Sequence, residues 1–220
     1  MYPGGDEDRL AVNVHENLKP PTESGKSYLV RGSYTYYHYG CDGVSDEGWG
    51  CGYRTCQTLC SWVRGQQSGQ HAPPVPSIRD IQDVLVRLGD KPPHFAGSRD
   101  WIGSVEVCLV LDQLYAVPCR ILHSPHGTLG QQAGALAAHF RDRGSPVMMG
   151  GDLDCSSKGV LGAHVSGDHT YLLVVDPHFS GRAGAAAELV SAGWVKWQRL
   201  SQFQDSSFYN LCLPQLGGRE

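Results

Sequence analysis

Several familiar features are missing from this chain. No two cysteines form a Cys-x-x-Cys pair, and the ten histidines are scattered without the spacing of a ligand set. A structural zinc, and any other metal or cofactor, is therefore not expected. There is no block of lysine and arginine, and the net charge is −4. Affinity driven by phosphates is excluded on that ground, so neither nucleic acid nor an anionic membrane is a natural partner. No apolar run approaches the length of a membrane span, and direct membrane insertion is not expected. The opening residues Met1 to Asp8 are acidic, without the basic and apolar regions of a signal peptide, so the expected location is cytoplasmic. No internal repeat appears. A polar, Pro/Gly-bearing stretch over residues 1–26 reads as a flexible tail, followed by a single domain over 27–217 that is expected to work as a monomer.

What is present in quantity is glycine, at 28 residues, and cysteine, at eight (positions 41, 51, 56, 60, 108, 119, 155 and 212). Most of these cysteines lie inside apolar patterns without a disulfide framework and read as buried thiols in a reducing environment. Cys51 differs. The text before it, Asp46-Glu47-Gly48-Trp49-Gly50, is loop-like, whereas Tyr53, Cys56, Leu59, Cys60 and Val63 recur at helical spacing after it. Cys51 thus opens a helix, where unpaired N–H groups and the positive end of the macrodipole favour a thiolate. Gly50 and Gly52, beside Trp49, are expected to leave room for a substrate chain near the sulfur. An ordinary helix opening on a core cysteine has the same local pattern.

The complementary stretch lies 127 residues on, in Thr170-Tyr171-Leu172-Leu173-Val174-Val175-Asp176-Pro177-His178. Its apolar, β-branched run reads as a buried strand. Extended geometry would place positions 176 and 178 on one side, about 6–7 Å apart. There a carboxylate can accept from His178 Nδ1 and leave Nε2 to face a sulfur. A strand-end carboxylate beside a surface histidine has the same sequence; pairing with a helix-opening cysteine is what points to nucleophilic catalysis. His169, beside Asp168, is the rival base, about 25–30 Å from His178 along an extended strand. Cys56 and Cys60 fall inside the helix and face the core, and Cys41 lies in a loop.

Between these stretches, Ser77 and Asp80 predict a capped helix with Ile78, Ile81, Val84, Leu85 and Leu88 on one face. Asp100 predicts the cap of another over Trp101–Tyr115, and Leu129–Phe140 reads as an alanine-rich helix. The tyrosine-rich stretch Tyr28–Tyr39 predicts one or two strands. Further strands are expected over 117–122, 147–151, 160–165, 170–176, 194–197 and 209–213. Helices first and an antiparallel sheet second give an α+β class, with the nucleophile on the helical half and Asp and His on the sheet half, as in papain-like folds.

Five anchors in order carry a resemblance: Gly48-Trp49-Gly50-Cys51-Gly52-Tyr53-Arg54, Trp101-Ile102-Gly103-Ser104, Gly150-Gly151-Asp152, Asp176-Pro177-His178, and Phe208-Tyr209-Asn210-Leu211-Cys212-Leu213-Pro214-Gln215. Together, from about Tyr28 to Gln215, they resemble the ubiquitin-fold modifier-specific cysteine proteases, and the length resembles their short, type 1 branch. The resemblance implies a thiol protease that cleaves after the modifier's C-terminal glycine. Such an enzyme matures the precursor and releases the modifier from its conjugates, so precursor and conjugates are the partners implied. Cys51 falls on the nucleophile, His178 on the base, Asp176 on the residue that orients it, and Tyr39 on a tyrosine lining the oxyanion hole. Val195-Lys196 stands where Cys-Gly is expected, and the stretch 151–159 is longer than expected. Autophagin proteases share the Gly-Trp-Gly-Cys start and Asp-Pro-His but lack the Trp-Ile-Gly and Tyr-Asn-Leu-Cys-Leu-Pro anchors. An autophagin-like protease, or a silent module that binds the modifier without cutting it, are the alternatives.

Overall fold

The computed structural model describes residues 10–67, 72–153, 156–182 and 185–216. At its centre is a 7-stranded sheet in the order β2-β7-β3-β4-β5-β6, with β1 paired to the far half of β4. Its strands are β1 (Lys26–Leu29), β2 (Cys119–Ser124), β3 (Val147–Gly151), β4 (Ser157–Ser166), β5 (His169–Val175), β6 (Val195–Arg199) and β7 (Tyr209–Pro214). Every pairing is antiparallel. The helices are α1 (Cys51–Gln66), α2 (Ile78–Arg87), α3 (Ser104–Tyr115), α4 (Ala133–Asp142) and α5 (Ala186–Ser191). The α+β class of the sequence holds, with one addition: both faces of the sheet are covered.

Strand alternation divides the core accordingly. Met148, Leu173, Val175 and Cys212 face α1, α2 and α3, whereas Met149, Leu172, Val174, Leu211 and Leu213 face Leu136 and Phe140 of α4. In β4 the register shifts between Val160 and Gly162, leaving Leu161 as an extra residue. Leu161 therefore joins the first core while Val160 and Ala163, three apart, both join the second.

Helix α2 matches its signals. Ser77 Oγ accepts from Asp80 N–H, and the Asp80 carboxylate accepts from Ser77 N–H. Leu88, expected on the buried face, is the C-cap and is 41% exposed. Asp100 caps nothing. Helix α3 begins at Ser104, and the Glu106 carboxylate accepts Gly103 N–H at 2.9 Å while pairing with Lys91 at 2.6 Å. The first turn of the alanine-rich segment is 3-10 (Leu129–Gln132) before α4 takes over.

Two expectations about the N-terminal third are corrected. Residues 10–26 are docked rather than loose. Val14 is fully buried, Val12 bridges Thr35, Asn13 Oδ1 accepts Tyr34 N–H, and the Thr22 hydroxyl bonds His164. Residues 1–9 of the expected tail lie outside the described residues. The tyrosine-rich stretch forms regular strand only over Lys26–Leu29. Beyond it the extended chain runs down α1, which takes two of its amides through hydroxyls, Thr35 N–H by Ser61 Oγ (2.9 Å) and Tyr37 N–H by Thr58 Oγ1 (3.1 Å). Tyr34 and Tyr36 N–H go to Asn13 and Ala11. A backbone satisfied in this way needs no sheet partner.

Candidate active site

Helix α1 is the buried axis on which the site is built. Ten consecutive residues, Cys51 to Cys60, are buried, and Cys51 is its first residue. The N-cap is Gly50, with no side-chain cap and no acidic residue in the first turn. A negative charge on the sulfur therefore meets the helix's own N-terminal dipole.

From the sheet side, β5 delivers Asp176 and His178 just past its last residue, Val175. The extended geometry expected for Asp-Pro-His is replaced by a turn. One carboxylate oxygen, Asp176 Oδ1, accepts both His178 N–H (3.1 Å) and the Nδ1 proton of the same residue (2.5 Å). The aspartate thus closes its own Asx-type turn and orients the ring that follows. Two further contacts fix it: Tyr36 hydroxyl donates to Asp176 carbonyl at 2.5 Å, and Lys158 Nζ lies 3.7 Å from Oδ2.

The other face of the imidazole meets the sulfur. His178, the Ser157 N–H and the Tyr39 hydroxyl surround Cys51 Sγ closely enough to favour its negative charge. Tyr39 stands edge-on to His178, ring centroids 5.2 Å apart, and its backbone N–H donates to Pro177 carbonyl at 3.0 Å. The Gly48 N–H lies near the same tyrosine's hydroxyl. Gly48 has φ +82°, a left-handed conformation suited to glycine, at the turn leading into α1. The structure brings Cys51, His178, Asp176 and Tyr39 together from across the chain between positions 39 and 178.

Charge states follow from these contacts. Burial alone would raise the Cys51 thiol, but His178, Ser157 N–H and Tyr39 together hold it below the ordinary thiol range. Burial would lower His178, yet Asp176 and the Cys51 sulfur raise it to about 9. Burial, opposed first by the hydrogen bond to His178, leaves Asp176 below the usual carboxylate range. Burial and the neighbouring sulfur raise Tyr39, which stays a protonated donor. These shifts favour a thiolate–imidazolium pair with a phenol beside it.

A groove of about 260 Å³ leads away from Cys51, lined by Trp101, Gly103, Ser104, Gly150, Gly151, Asp152, Ser156, Phe208 and Asn210 among others. Neither Tyr39 nor His178 lines it. Three glycines narrow its walls, and Ser156 Oγ is buried there without a hydrogen-bond partner.

Trp49, Gly50 and Gly52, expected to contact substrate, are occupied by the protein itself. Trp49 packs edge-on against Tyr53 (5.7 Å) and adjoins the core. A Cβ at Gly50 would meet Asp46 Oδ2 at 2.0 Å, and one at Gly52 would meet Ile102 carbonyl oxygen at 2.4 Å. These glycines permit close approach of the chain to itself. Because a backbone atom blocks the space at Gly52, Gly52→Ala is expected to cost about 1–3 kcal/mol, the range for overpacking, as read by urea unfolding.

The residue that sequence reasoning left without a role is Trp101, which is 51% exposed and lines the groove. Its signal was the glycine two positions on: Gly103 is the N-cap, so Trp101 and Ile102 precede the helix. The rival groups lie elsewhere. Exposed His169 bonds Arg199 Nη2 at 2.6 Å, buried His164 is held by Thr22 and Ser27, and Cys56 and Cys60 sulfurs sit 3.9 Å apart in the core. Cys41 is partly buried, and burial pushes its thiol up.

The sequence pattern of peptidase family C78 matches residues 25–212. Ufm1-specific protease 1 of Mus musculus is 47% identical over 210 residues, 94% of each chain. Probable Ufm1-specific protease 1 of Drosophila melanogaster is 47% identical over 198 residues, 89% of this chain and 83% of that one. Ufm1-specific protease 2 of Homo sapiens is 43% identical over 211 residues, 94% of this chain but 44% of that longer one. Among solved structures, the crystal structure of UfSP from C. elegans matches with a TM-score of 0.82 at 34% identity, covering 97% of this chain and 38% of that chain.

Proposed function

The chain belongs to peptidase family C78, and from that premise we propose that it is a Ufm1-specific thiol protease whose nucleophile is Cys51. It cleaves after the modifier's C-terminal glycine, maturing the precursor and releasing the modifier from conjugated proteins. The observation that carries this is the series Asp176–His178–Cys51, in which Asp176 Oδ1 holds His178 Nδ1 at 2.5 Å, the imidazole adjoins the sulfur, and Tyr39 stands edge-on to the ring. All the side chains that the chemistry requires are in contact, which favours cleavage over silent binding.

The Cys51 thiolate attacks the glycyl carbonyl. Negative charge develops on the carbonyl oxygen between Tyr39 hydroxyl and Cys51 N–H, the latter at the start of α1. His178, an imidazolium in the resting pair, protonates the leaving amine. Water, deprotonated by His178, then resolves the thioester. Since the leaving amine departs on the His178 side, the modifier's tail occupies the glycine-walled groove on the opposite side, beneath Trp101. The enzyme acts as a monomer in the cytoplasm, a location that suits the seven free thiols found among the described residues. Among those residues no helix is long and apolar enough to cross a membrane.

Incubation with Ufm1 precursor is expected to yield a product ending in glycine by mass spectrometry, while a precursor of an autophagy-type modifier in the same tube stays intact. Cleavage of the second and not the first would favour the autophagin-like alternative. Tyr39→Phe, which removes one oxyanion donor, is expected to slow turnover about 10²–10³-fold, equivalent to roughly 2.7–4 kcal/mol. Unchanged turnover in steady-state assays would take Tyr39 out of the mechanism.

A further inference from the structure

Behind the site lies a charged cluster that the mechanism does not use. Asp46 is 0% exposed, and both of its carboxylate oxygens are bonded. Oδ1 accepts the N–H of Gly40, the residue after Tyr39, at 2.8 Å. Oδ2 accepts Nε of Arg54, one turn beyond Cys51 in α1, at 2.8 Å. The Asp46 carbonyl accepts Gly50 N–H at 2.8 Å and Trp49 N–H at 3.2 Å, closing the turn that contains Gly48. Arg54, also 0% exposed, donates further to Asp42 in a two-pronged pair (2.8 and 2.8 Å) and to Gln57 Oε1 (3.1 Å).

A buried charge pair is a poor device for stability alone, because desolvation offsets most of the attraction. Its geometry here is specific. The Asp46 carboxylate bonds the segment that carries Tyr39 and the helix that carries Cys51, while its backbone carbonyl closes the turn that contains Gly48. The missing Cβ of Gly50 is what lets this carboxylate in. Asp46 thus ties together three segments that converge on Tyr39 and Cys51, and the Asp42–Arg54 pair braces the same junction.

We propose that Asp46, clamped by Arg54, is a positioning residue that fixes the Tyr39 hydroxyl against the Cys51 sulfur. It touches no reacting atom. It sets the distance between the two oxyanion donors, one on the tyrosine segment and the other at the head of α1. This rests on Tyr39 serving as an oxyanion donor, and the test separates the two claims.

The measurement is a double-mutant cycle of Asp46→Asn and Tyr39→Phe, read as kcat and KM on a fluorogenic substrate ending in the modifier's glycine. Asp46→Asn keeps an acceptor for Gly40 but turns an amide toward Arg54. A misplacement of about 1 Å can cost on the order of 10²-fold in rate, so a loss of about ten- to a hundredfold in kcat is expected, with KM within about threefold. Iodoacetamide labelling of Cys51 is expected within about threefold of wild type, because His178 still holds the thiolate. In the Tyr39→Phe background the same substitution is expected to cost less than about threefold, there being no hydroxyl left to place. If both single losses are real but multiply in the double variant, or if Asp46→Asn keeps wild-type kcat, the role of Asp46 is overturned while that of Tyr39 stands. Unchanged turnover in Tyr39→Phe alone would overturn both. If Asp46→Asn does not fold, Arg54→Lys, which retains one charged contact to Asp46, enters the same cycle with the same expectations.

Discussion

Cys51→Ala is expected to abolish processing of the precursor, with a residual rate about 10⁴–10⁶-fold below wild type, while binding of the mature modifier survives. The size follows from the behaviour of coupled catalytic groups: in a serine protease, loss of the nucleophile alone costs about 10⁶-fold, nearly as much as loss of the whole triad. Binding survives because the groove is built from other residues, chiefly Trp101, Ser104, Gly150, Gly151 and Phe208. Cys51→Ser should fare little better, since the hydroxyl would need a far larger pKa shift than the thiol to become a nucleophile. Single-turnover assays with enzyme in excess, alongside calorimetric binding, check both halves. Processing by Cys51→Ala at even a hundredth of the wild-type rate would assign the nucleophile elsewhere.

His178→Gln is expected to cost about 10⁴-fold or more, because the amide neither stabilises the thiolate nor protonates the leaving amine. The wild-type pH profile should carry the same signature. His178 is raised to about 9, so the imidazolium that donates to the leaving amine is present below that pH and lost as pH rises through it. Turnover is therefore expected to fall on the alkaline side near 9. It should fall again on the acid side, where the thiolate, although held below the ordinary range, takes up a proton. Asp176→Asn keeps an acceptor for Nδ1 but loses the charge that raises the imidazole. Its alkaline limb should move to lower pH, with a smaller loss at the optimum than in His178→Gln, since papain-like enzymes tolerate asparagine in that role. An alkaline limb that stays put in Asp176→Asn would detach it from the imidazole's titration.

The convergence of Cys51, Asp176 and His178 was legible because each part rests on a short-range signal. Cys51 stands where glycine-rich text gives way to helical periodicity, and Asp176 and His178 follow an apolar strand with one proline between them. Capping chemistry likewise made α2 legible, through Ser77 and Asp80. What escaped depends on partners remote along the chain. Gly50 and Gly52 looked like space for a ligand, but the atoms that fill them belong to Asp46 and Ile102. The tyrosine-rich segment has strand propensity, yet Ser61 and Thr58 of α1 take two of the amides that a neighbouring strand would have taken. Trp101 was drawn into a helix by the apolar residues after it, whereas Glu106 starts that helix at Gly103–Ser104. The second covered face of the sheet escaped because α4 presents mostly alanines, with Leu136 and Phe140 as its large anchors.

The contact at Gly52 has a mechanical consequence. With its α-carbon pressed toward the carbonyl of Ile102, the head of α1 and the wall that bears Trp101 form one stiff jaw. Such a jaw cannot dilate to admit a thicker strand without breaking the packing that seats the sulfur. The groove beside the sulfur, walled by Gly103, Gly150 and Gly151, is thereby held to a bore that suits a slim, glycine-ended strand.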